Sequence, residues 1–582
     1  MGMPKFTALI IALLLPLHAF AAGLTWEGWS DEVFARAKKE KRFVILDLEA
    51  VWCHWCHVME EKTYAIDKVQ ALIKDKFIPV RVDQDARPDL SNRYENYGWP
   101  ATVVFAADGS EIVKRRGYIS PEEMVAMLEA IIADPTPGPS VQPVKDLTFN
   151  AAGTLSSELR NQFEIALKDL YDNEMGAWGR GQKYLDWDNV EWSLRRALGG
   201  DKSAEKRAKQ TITNERKLVD PVWGGVYQYS TDNDWDHAHF EKIMIVQAEN
   251  MHIASLAFAQ WHDARDLATA QSIQRYVKDF LTSPDGAFYT SQDADLVPGE
   301  HSGEYFALDD AARRAKGMPR VDQHIYTREN AWMIHSLAVL HGLSGDETAL
   351  ADAKRAAEWI VLHRNRTEGG FHHGEKDEAL YFGDQVYLLR AFLSLLMTTR
   401  DNVWLERAEQ LAAFIAPRFK SAKAPDAGFA STDAGPTAYY QADENITLTR
   451  SANELFHITG KEMYHQMALR AMRYLATPEV AEGRFSSVGG FLLADDEMRR
   501  APLHVTIVGK RDDAAAAKLY LAALQHPTSY KRLDWYDPSG PKPANLDIEF
   551  PLVKSASAFV CGDGSCSRPV TEPEALRQLM LR

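Results

Sequence analysis

A turn of small residues followed by an aromatic or apolar side chain recurs six times through the middle of this chain: Gly176-Ala177-Trp178, Gly224-Gly225-Val226-Tyr227, Asp285-Gly286-Ala287-Phe288-Tyr289, Gly369-Gly370-Phe371-His372, Ala427-Gly428-Phe429 and Gly489-Gly490-Phe491. Most copies are about sixty residues apart, room for two helices and a short extended loop. The stretches between them agree: Phe240–Trp261, Asn330–Gly342, Ala349–Ile360, Asp384–Thr399 and Trp404–Ile415 place apolar residues at three- and four-residue spacing. A helical hairpin cannot bury its apolar face alone. Six similar hairpins bury all of theirs by closing into a ring, whereas an open solenoid, the alternative, needs terminal caps. The spacing predicts an all-α (α/α)6 six-hairpin toroid over residues 150–500.

Upstream the pattern changes. Phe43-Val44-Ile45-Leu46-Asp47-Leu48 is a nearly continuous apolar run of buried-strand type, Met59 to Lys76 reads as helix, and Trp52-Cys53-His54-Trp55-Cys56-His57 lies at the junction. Two thiols three positions apart at such a junction are the parts of a dithiol redox centre. Cys53 stands at a helix N-terminus, where backbone N–H groups and the dipole favour a thiolate, and Cys56 is placed to resolve a mixed disulfide. Half a zinc site is the other reading, but the remaining cysteines, Cys561 and Cys566, are some five hundred positions away. Phe77 to Asp83 forms a second strand, and Pro100 in Gly98-Trp99-Pro100-Ala101-Thr102 opens a third. A cis bond at Pro100 brings the preceding backbone against the sulfurs.

With WCxxC, an acid inside the first strand and the Gly-x-Pro-x-Thr turn in order, residues 24–133 resemble the thioredoxin superfamily. The resemblance implies that Cys53, Cys56, Asp47 and Pro100 form the catalytic set, with Asp47 accepting a proton from the resolving cysteine. It widens through His239-Phe240-Glu241-Lys242, Ser291-Gln292-Asp293-Ala294-Asp295 and Phe559-Val560-Cys561 to the DUF255, YyaL-like thioredoxin-domain family of the spermatogenesis-associated type. That family joins an α/β thioredoxin-like fold to a six-hairpin glycosidase-like barrel similar to sugar epimerases. The chain departs from the family pattern where Ile243-Met244-Ile245-Val246 stands for Met-Leu-Tyr-Asp, and where Thr327-Arg328-Glu329-Asn330-Ala331 stands for Thr-x-Trp-Asn-Gly.

The acids near the turn-bearing end, Glu241, Asp293, Asp295, Glu304, Asp384, Asp443 and Glu444, are read with His239 as a barrel cleft, where paired carboxylates could serve acid–base work on a sugar. Helix caps and dipole partners are the other reading of such acids. His237 and His239 alternate as metal ligands on a strand do, and His372-His373 is a similar pair, but no metal and no cofactor are expected. Residues 501–582 read as a small α/β C-terminal region. There Cys561 and Cys566 form a structural disulfide or, in the sharper alternative, exchange with Cys53.

The first 21 residues, with Lys5, an apolar run from Phe6 to Leu15 and Ala19-Phe20-Ala21, read as a cleavable signal peptide, and hence as periplasmic or secreted localisation. No later run is long enough to span a bilayer. Residues 134–149 are a Pro-rich linker. A net charge of -16 argues against nucleic acid or anionic membranes as partners, and the 15 Trp and 21 Tyr fit a carbohydrate cleft or an ordinary core. Two functions compete. One is an exported thiol–disulfide oxidoreductase acting with a thiol or disulfide protein partner, its barrel binding a carbohydrate or that partner. The other is a sugar-acting barrel with a regulatory or structural thioredoxin-like domain.

Overall fold

The computed structural model describes residues 23–142, 149, 151–375, 379–420, 427–433, 439–483, 487–546, 548–551, 555–562 and 565–581. The expected signal peptide lies outside them. The first unit has a four-stranded sheet in the order β2-β1-β3-β4: β1 Phe43–Glu49, β2 Phe77–Asp83, β3 Ala101–Phe105 and β4 Glu111–Arg116. Strand β1 runs parallel to β2 and antiparallel to β3. The parallel pair demands a crossover, supplied by α2 His54–Met59 and α3 Asp67–Lys76. One sheet face packs against α1 Asp31–Glu40 and α4 Pro88–Tyr94; the other packs against α3 and α5 Pro121–Ala133. The Pro-rich segment does not leave as a free spacer: Gly138 N–H donates to Ile112 O at 2.8 Å, and Ser140 Oγ accepts from Lys114 N–H.

Six helical pairs follow. The inner helices are α7 Trp187–Leu198, α9 Met244–Trp261, α13 Thr327–Ser344, α15 Phe382–Thr399, α17 Ala442–Thr459 and α20 Gly489–Arg499. Each touches the next, and α20 returns to α7, so the ring closes. Behind them stand α8 Lys202–Glu215, α10 Ala264–Phe280, α14 Glu347–His363, α16 Asn402–Arg418, α18 Glu462–Leu475 and, from before the first inner helix, α6 Ser157–Asp169. Helices α9 and α13 are buried on nearly every side, as helices enclosed by others must be, while the outer helices keep a polar face. The inner-to-outer turns share one chemistry: a left-handed residue such as His262, Gly345 or Arg400 ends the inner helix, and Asp263, Asp346 or Asp401 caps the outer one.

The recurrent Gly-aromatic turns are fastened by amides that periodicity does not reveal. The fourth residue of α9, α13, α15 and α17 is Gln247, Asn330, Gln385 or Asn445. Each accepts from the N–H and donates to the C=O of one turn residue, respectively Val226, Phe288, Phe371 and Phe429, at 2.7–3.0 Å. Asn189 on α7 likewise accepts from Gly489 N–H. The approach is close enough that a Cβ on Gly225, already at φ +73°, would lie 2.5 Å from the Tyr276 ring and 3.0 Å from Gln247 Oε1.

Short strands link turns across the ring: β5 Tyr171–Asp172 with β6 Ala177–Trp178, β7 Tyr229–Ser230 with β8 Ala238–His239, and a three-stranded set β9 Lys242–Ile243, β10 Ser291–Gln292 and β11 Val321–Asp322. Helices α11 Gly303–Phe306 and α12 Asp310–Lys316 lie in the long connection before α13, and α19 Pro478–Glu482 precedes α20. The C-terminal unit has the sheet order β13-β12-β14-β15, with β12 Leu503–Val508, β13 Lys531–Tyr536, β14 Ser557–Gly562 and β15 Ser565–Cys566; α21 Ala514–Leu524 packs on it and α22 Pro573–Met580 against α21 and β14. Cys561 and Cys566 face each other across β14 and β15 and are disulfide-bonded.

Replacing Asn330 with Leu strands both polar groups of buried Phe288, each worth about 1–3 kcal/mol when unsatisfied. Asn330→Leu should therefore lower the unfolding free energy by roughly 2–5 kcal/mol in a denaturant titration. A loss below about 1 kcal/mol would show that the amide clamps do not hold the ring.

Candidate functional site

The thioredoxin-like unit seats on the end of the toroid formed by the N-termini of the inner helices. Asn92 donates to Glu444 Oε1, in the first turn of α17, at 2.9 Å, and Gln441 donates to Glu95. His373 makes the firmest bridge. It is fully buried, its Nε2 lies 2.7 Å from the backbone oxygen of Asp85 and its Nδ1 lies 2.9 Å from Asp384 Oδ1. Both ring nitrogens face acceptors, which only an imidazolium satisfies. Burial opposes that charge, but Asp384 outweighs it and raises the His373 pKa to about 9. Trp52, just before the dithiol, donates to Asp85 Oδ2 at 2.8 Å.

Cys53 is the N-cap of α2 and is disulfide-bonded to Cys56; Cys56 N–H donates to Cys53 Sγ at 3.2 Å. The Trp99–Pro100 bond is cis. Exposure does not distinguish the cysteines: Cys53 is 3% and Cys56 4% exposed. Ile243 packs with Trp99 against Trp52, Cys53 and Cys56. Asp47 is buried on β1, its Oδ2 accepting from Arg81 Nε at 3.0 Å, while its Oδ1 has no hydrogen-bond partner. Burial raises its pKa, against the opposing charge of Arg81.

The pairing of β9 with β10 brings the His-Phe-Glu-Lys and Gln-Asp-Ala-Asp segments side by side under the dithiol. Asp295 accepts from both histidines of the CHWCH run: Oδ1 lies 2.8 Å from His54 Nδ1, and Oδ2 lies 3.1 Å from His57 Nδ1. Asp293 Oδ2 lies 3.6 Å from His57 Nε2, and its Oδ1 accepts from Asp295 N–H. Burial opposes a charge on either histidine, but the Asp295 hydrogen bonds and nearby acids outweigh it, and both pKa values rise. Burial pushes Asp293 up to about 7. Asp295 is also penalised by burial, yet its two histidine partners leave it below the ordinary carboxylate range. His57, Asp293 and Asp295 present ligand atoms within 4.8 Å of one another, but two of these groups are already paired to histidine.

The eight expected cleft residues therefore do not form one sugar-facing set; Asp443 and Glu444 line a smaller cavity nearer the ring axis. Asp293 and Asp295 hold the dithiol helix. Asp384 accepts from His373 and from Arg328 N–H, the helix-start role weighed as its alternative. Glu304 is exposed on the short α11. His239 stacks on Tyr229, and His237 pairs with Asp234. Glu241 alone lines a cavity beside the dithiol. Only 2% exposed, it leaves its Oε2 without a hydrogen-bond partner.

That cavity, about 910 Å³, lies between the two units and is also lined by Cys53, Trp55, Trp99, Tyr184 and Tyr229. Two smaller ones, about 230 and 150 Å³, follow toward the ring axis, and Ile245 borders all three. The far end of the ring is covered by the C-terminal unit, through Arg532 to His457 O at the end of α17 and Tyr520 to Met397 O near the end of α15. The two disulfides are thus on opposite ends of a ring whose four longest inner helices, 18 residues each, are about 27 Å long. Direct exchange between them within one molecule is ruled out.

The docking contacts carry a pH signature. His54, His57, His373 and Asp293 all have folded pKa values above their ordinary ones. Each stabilises docking fully below its unfolded pKa, and the contribution is lost as pH rises through the folded value; for Asp295, whose pKa is lowered, the contribution is lost as pH falls through it. Amide-exchange protection of residues 54–64 should therefore fall between about pH 6 and pH 10, and Asp295→Asn should flatten the fall. Equal protection across that range in the unaltered protein would contradict the assignment.

Residues 15–133 match the family described as "Protein of unknown function, DUF255" (Thioredox_DsbH). Spermatogenesis-associated protein 20 of Mus musculus is 26% identical over 316 residues, 48% of this chain and 40% of that protein, so the match spans less than half of that relative's length. Thiol:disulfide interchange protein DsbD 2 of Pseudomonas aeruginosa is 33% identical over 89 residues, 15% of each chain. Among solved structures, a D-mannose isomerase is 12% identical with TM-score 0.45, covering 60% of this chain and 99% of that one. Cellobiose 2-epimerase from Bacillus thermoamylovorans is 11% identical with TM-score 0.44, covering 54% and 85%. The thioredoxin-like part of this chain, whose dithiol stands at the centre of the interdomain site, is thus similar to the DUF255 family.

Proposed function

We propose that the protein is an exported thiol–disulfide oxidoreductase working from Cys53 and Cys56, with the toroid forming one wall of the site. The observation that carries this reading is a disulfide at a helix N-cap, covered on all sides except where Cys53 borders a cavity. In the reduced protein the Cys53 thiolate attacks one sulfur of a substrate disulfide, whose S–S bond breaks and releases one thiolate. The Cys56 thiolate then attacks Cys53 Sγ and releases the second. Two electrons pass to the substrate, and a dithiol protein partner restores them. Asp47, its pKa raised by burial, is suited to take the Cys56 proton. Export rests on the leader pattern, and among the described residues no helix is long and apolar enough to cross a membrane. A carbohydrate in the same cavity is the second reading, favoured by its Trp and Tyr lining.

In Cys56→Ser, attack stops at the first step, so a mixed disulfide on Cys53 should accumulate with a small disulfide substrate and be visible by intact mass. Cys53→Ser should form none. Trapping on Cys56 in Cys53→Ser instead would reverse the assigned roles.

A further inference from the structure

Two residues that line the interdomain cavity each carry a buried polar atom with no hydrogen-bond partner among the described residues. Glu241 Oε2 is an acceptor on the toroid side, and Trp99 Nε1 is a donor on the thioredoxin-like side. An unpaired buried polar group of this kind costs about 1–3 kcal/mol. Both line the same cavity as Cys53, and at about 910 Å³ that cavity has the capacity of a small-molecule site. Cys53 itself is only 3% exposed, and the surface that a flat protein partner would press on is covered by Ile243 and Trp99. A sulfur reaching Cys53 must arrive on a slender, flexible group, either an extended segment of a protein or a small molecule. If that molecule also carries an N–H donor for Glu241 and a carbonyl or carboxylate oxygen for Trp99, both orphaned atoms are satisfied as the sulfurs meet. A cysteinyl unit has an amine and a carboxyl group on the carbon next to its sulfur-bearing one.

We infer that the cavity between the thioredoxin-like unit and the toroid is a binding site for small cysteinyl disulfides and thiols, held by Glu241 at the amine and Trp99 at the carboxyl or carbonyl oxygen. This rests on the exchange reading above and names its substrate class. The chemistry is that of the proposed exchange. Cys53 becomes bonded to one cysteinyl sulfur while the other half leaves as a thiol; Cys56 then closes on Cys53, and the second half leaves as a thiol. The substrate disulfide is the oxidant and the protein dithiol the reductant. Free cystine and short cysteine peptides share the recognised groups, so both belong in the test.

The full-length protein, first reduced and freed of reductant, is mixed with a panel of disulfides and its return to the Cys53–Cys56 disulfide is followed by tryptophan fluorescence and mass. The panel is cystine, an oxidised cysteine tripeptide, cystamine (amine only), dithiodiglycolate (carboxylate only), bis(2-hydroxyethyl) disulfide (neither) and insulin as a folded protein disulfide. Cystine or the tripeptide should react fastest, and whichever leads identifies the source. The rate ratio of cystamine to bis(2-hydroxyethyl) disulfide should fall about tenfold in Glu241→Gln, as the loss of a charge-assisted hydrogen bond requires. The ratio of dithiodiglycolate to the same reference should fall in Trp99→Phe, which keeps the ring and removes the donor. Glu304→Gln, exposed and outside the cavity, should leave both ratios unchanged. Equal rates across the small disulfides, ratios unmoved by Glu241→Gln and Trp99→Phe, or faster reaction with insulin would each overturn the inference while leaving exchange intact. No reaction with any disulfide would overturn the exchange reading as well.

Discussion

Much of this structure depends on one carboxylate. Asp295 holds His54 and His57, the residues that follow each cysteine of the dithiol, at 2.8 and 3.1 Å. Buried charge-assisted hydrogen bonds of this kind contribute about 1.5–3 kcal/mol each, offset by the cost of taking the charges out of water. The arrangement does more than join two units. It fixes the face of α2 against the ring, so that Cys53 is covered and meets open space only at a cavity whose far wall belongs to the toroid. It also places imidazole charge beside the dithiol, where a thiolate is favoured. The histidines of the motif are thus interdomain contacts as well as electrostatic neighbours of the sulfurs.

For Asp295 to act as a fixed point, the toroid end must be rigid. The amide clamps supply that rigidity by tying each Gly-aromatic turn to the fourth residue of an inner helix with a reciprocal pair of hydrogen bonds. The β9-β10 pairing then sets Glu241 and Asp293 to Asp295 in register beside the dithiol. The departure from the family pattern has a physical meaning here. Position 243, Met in the family pattern and Ile in this chain, stays apolar and packs against the cluster of Trp52, Cys53 and Cys56, while Ile245 and Val246, which stand where the pattern has Tyr and Asp, line the cavity with apolar groups.

The ring has both ends in use. The thioredoxin-like unit covers one and the C-terminal α/β unit the other, and polar residues on the axis, among them His252, His335 and Arg390, line a cavity between them. The Cys561–Cys566 disulfide, on the far unit and across two paired strands, belongs to the local stability of that sheet.

What the sequence determined by itself was local and periodic. The CxxC at a strand-to-helix junction, the helical spacing and the six recurrent turns follow from side-chain patterns within a few turns of chain, and they lead to a dithiol unit followed by six hairpins. The amides at the fourth position of four inner helices lie outside that pattern, because Gln and Asn carry no periodic apolar signal; their common offset from each helix start is the signal that marks them. The tertiary structure alone decided the rest. Asp295 meets His54 across 241 positions and His373 meets Asp85 across 288, and no local pattern encodes which of many acids a histidine will face. Burial of Cys53, the orphaned atoms of Glu241 and Trp99, and the division of the acids into clamp, cap and cavity wall all arise from how two separately legible units dock. That is set by shape and by the cost of leaving buried charge unpaired.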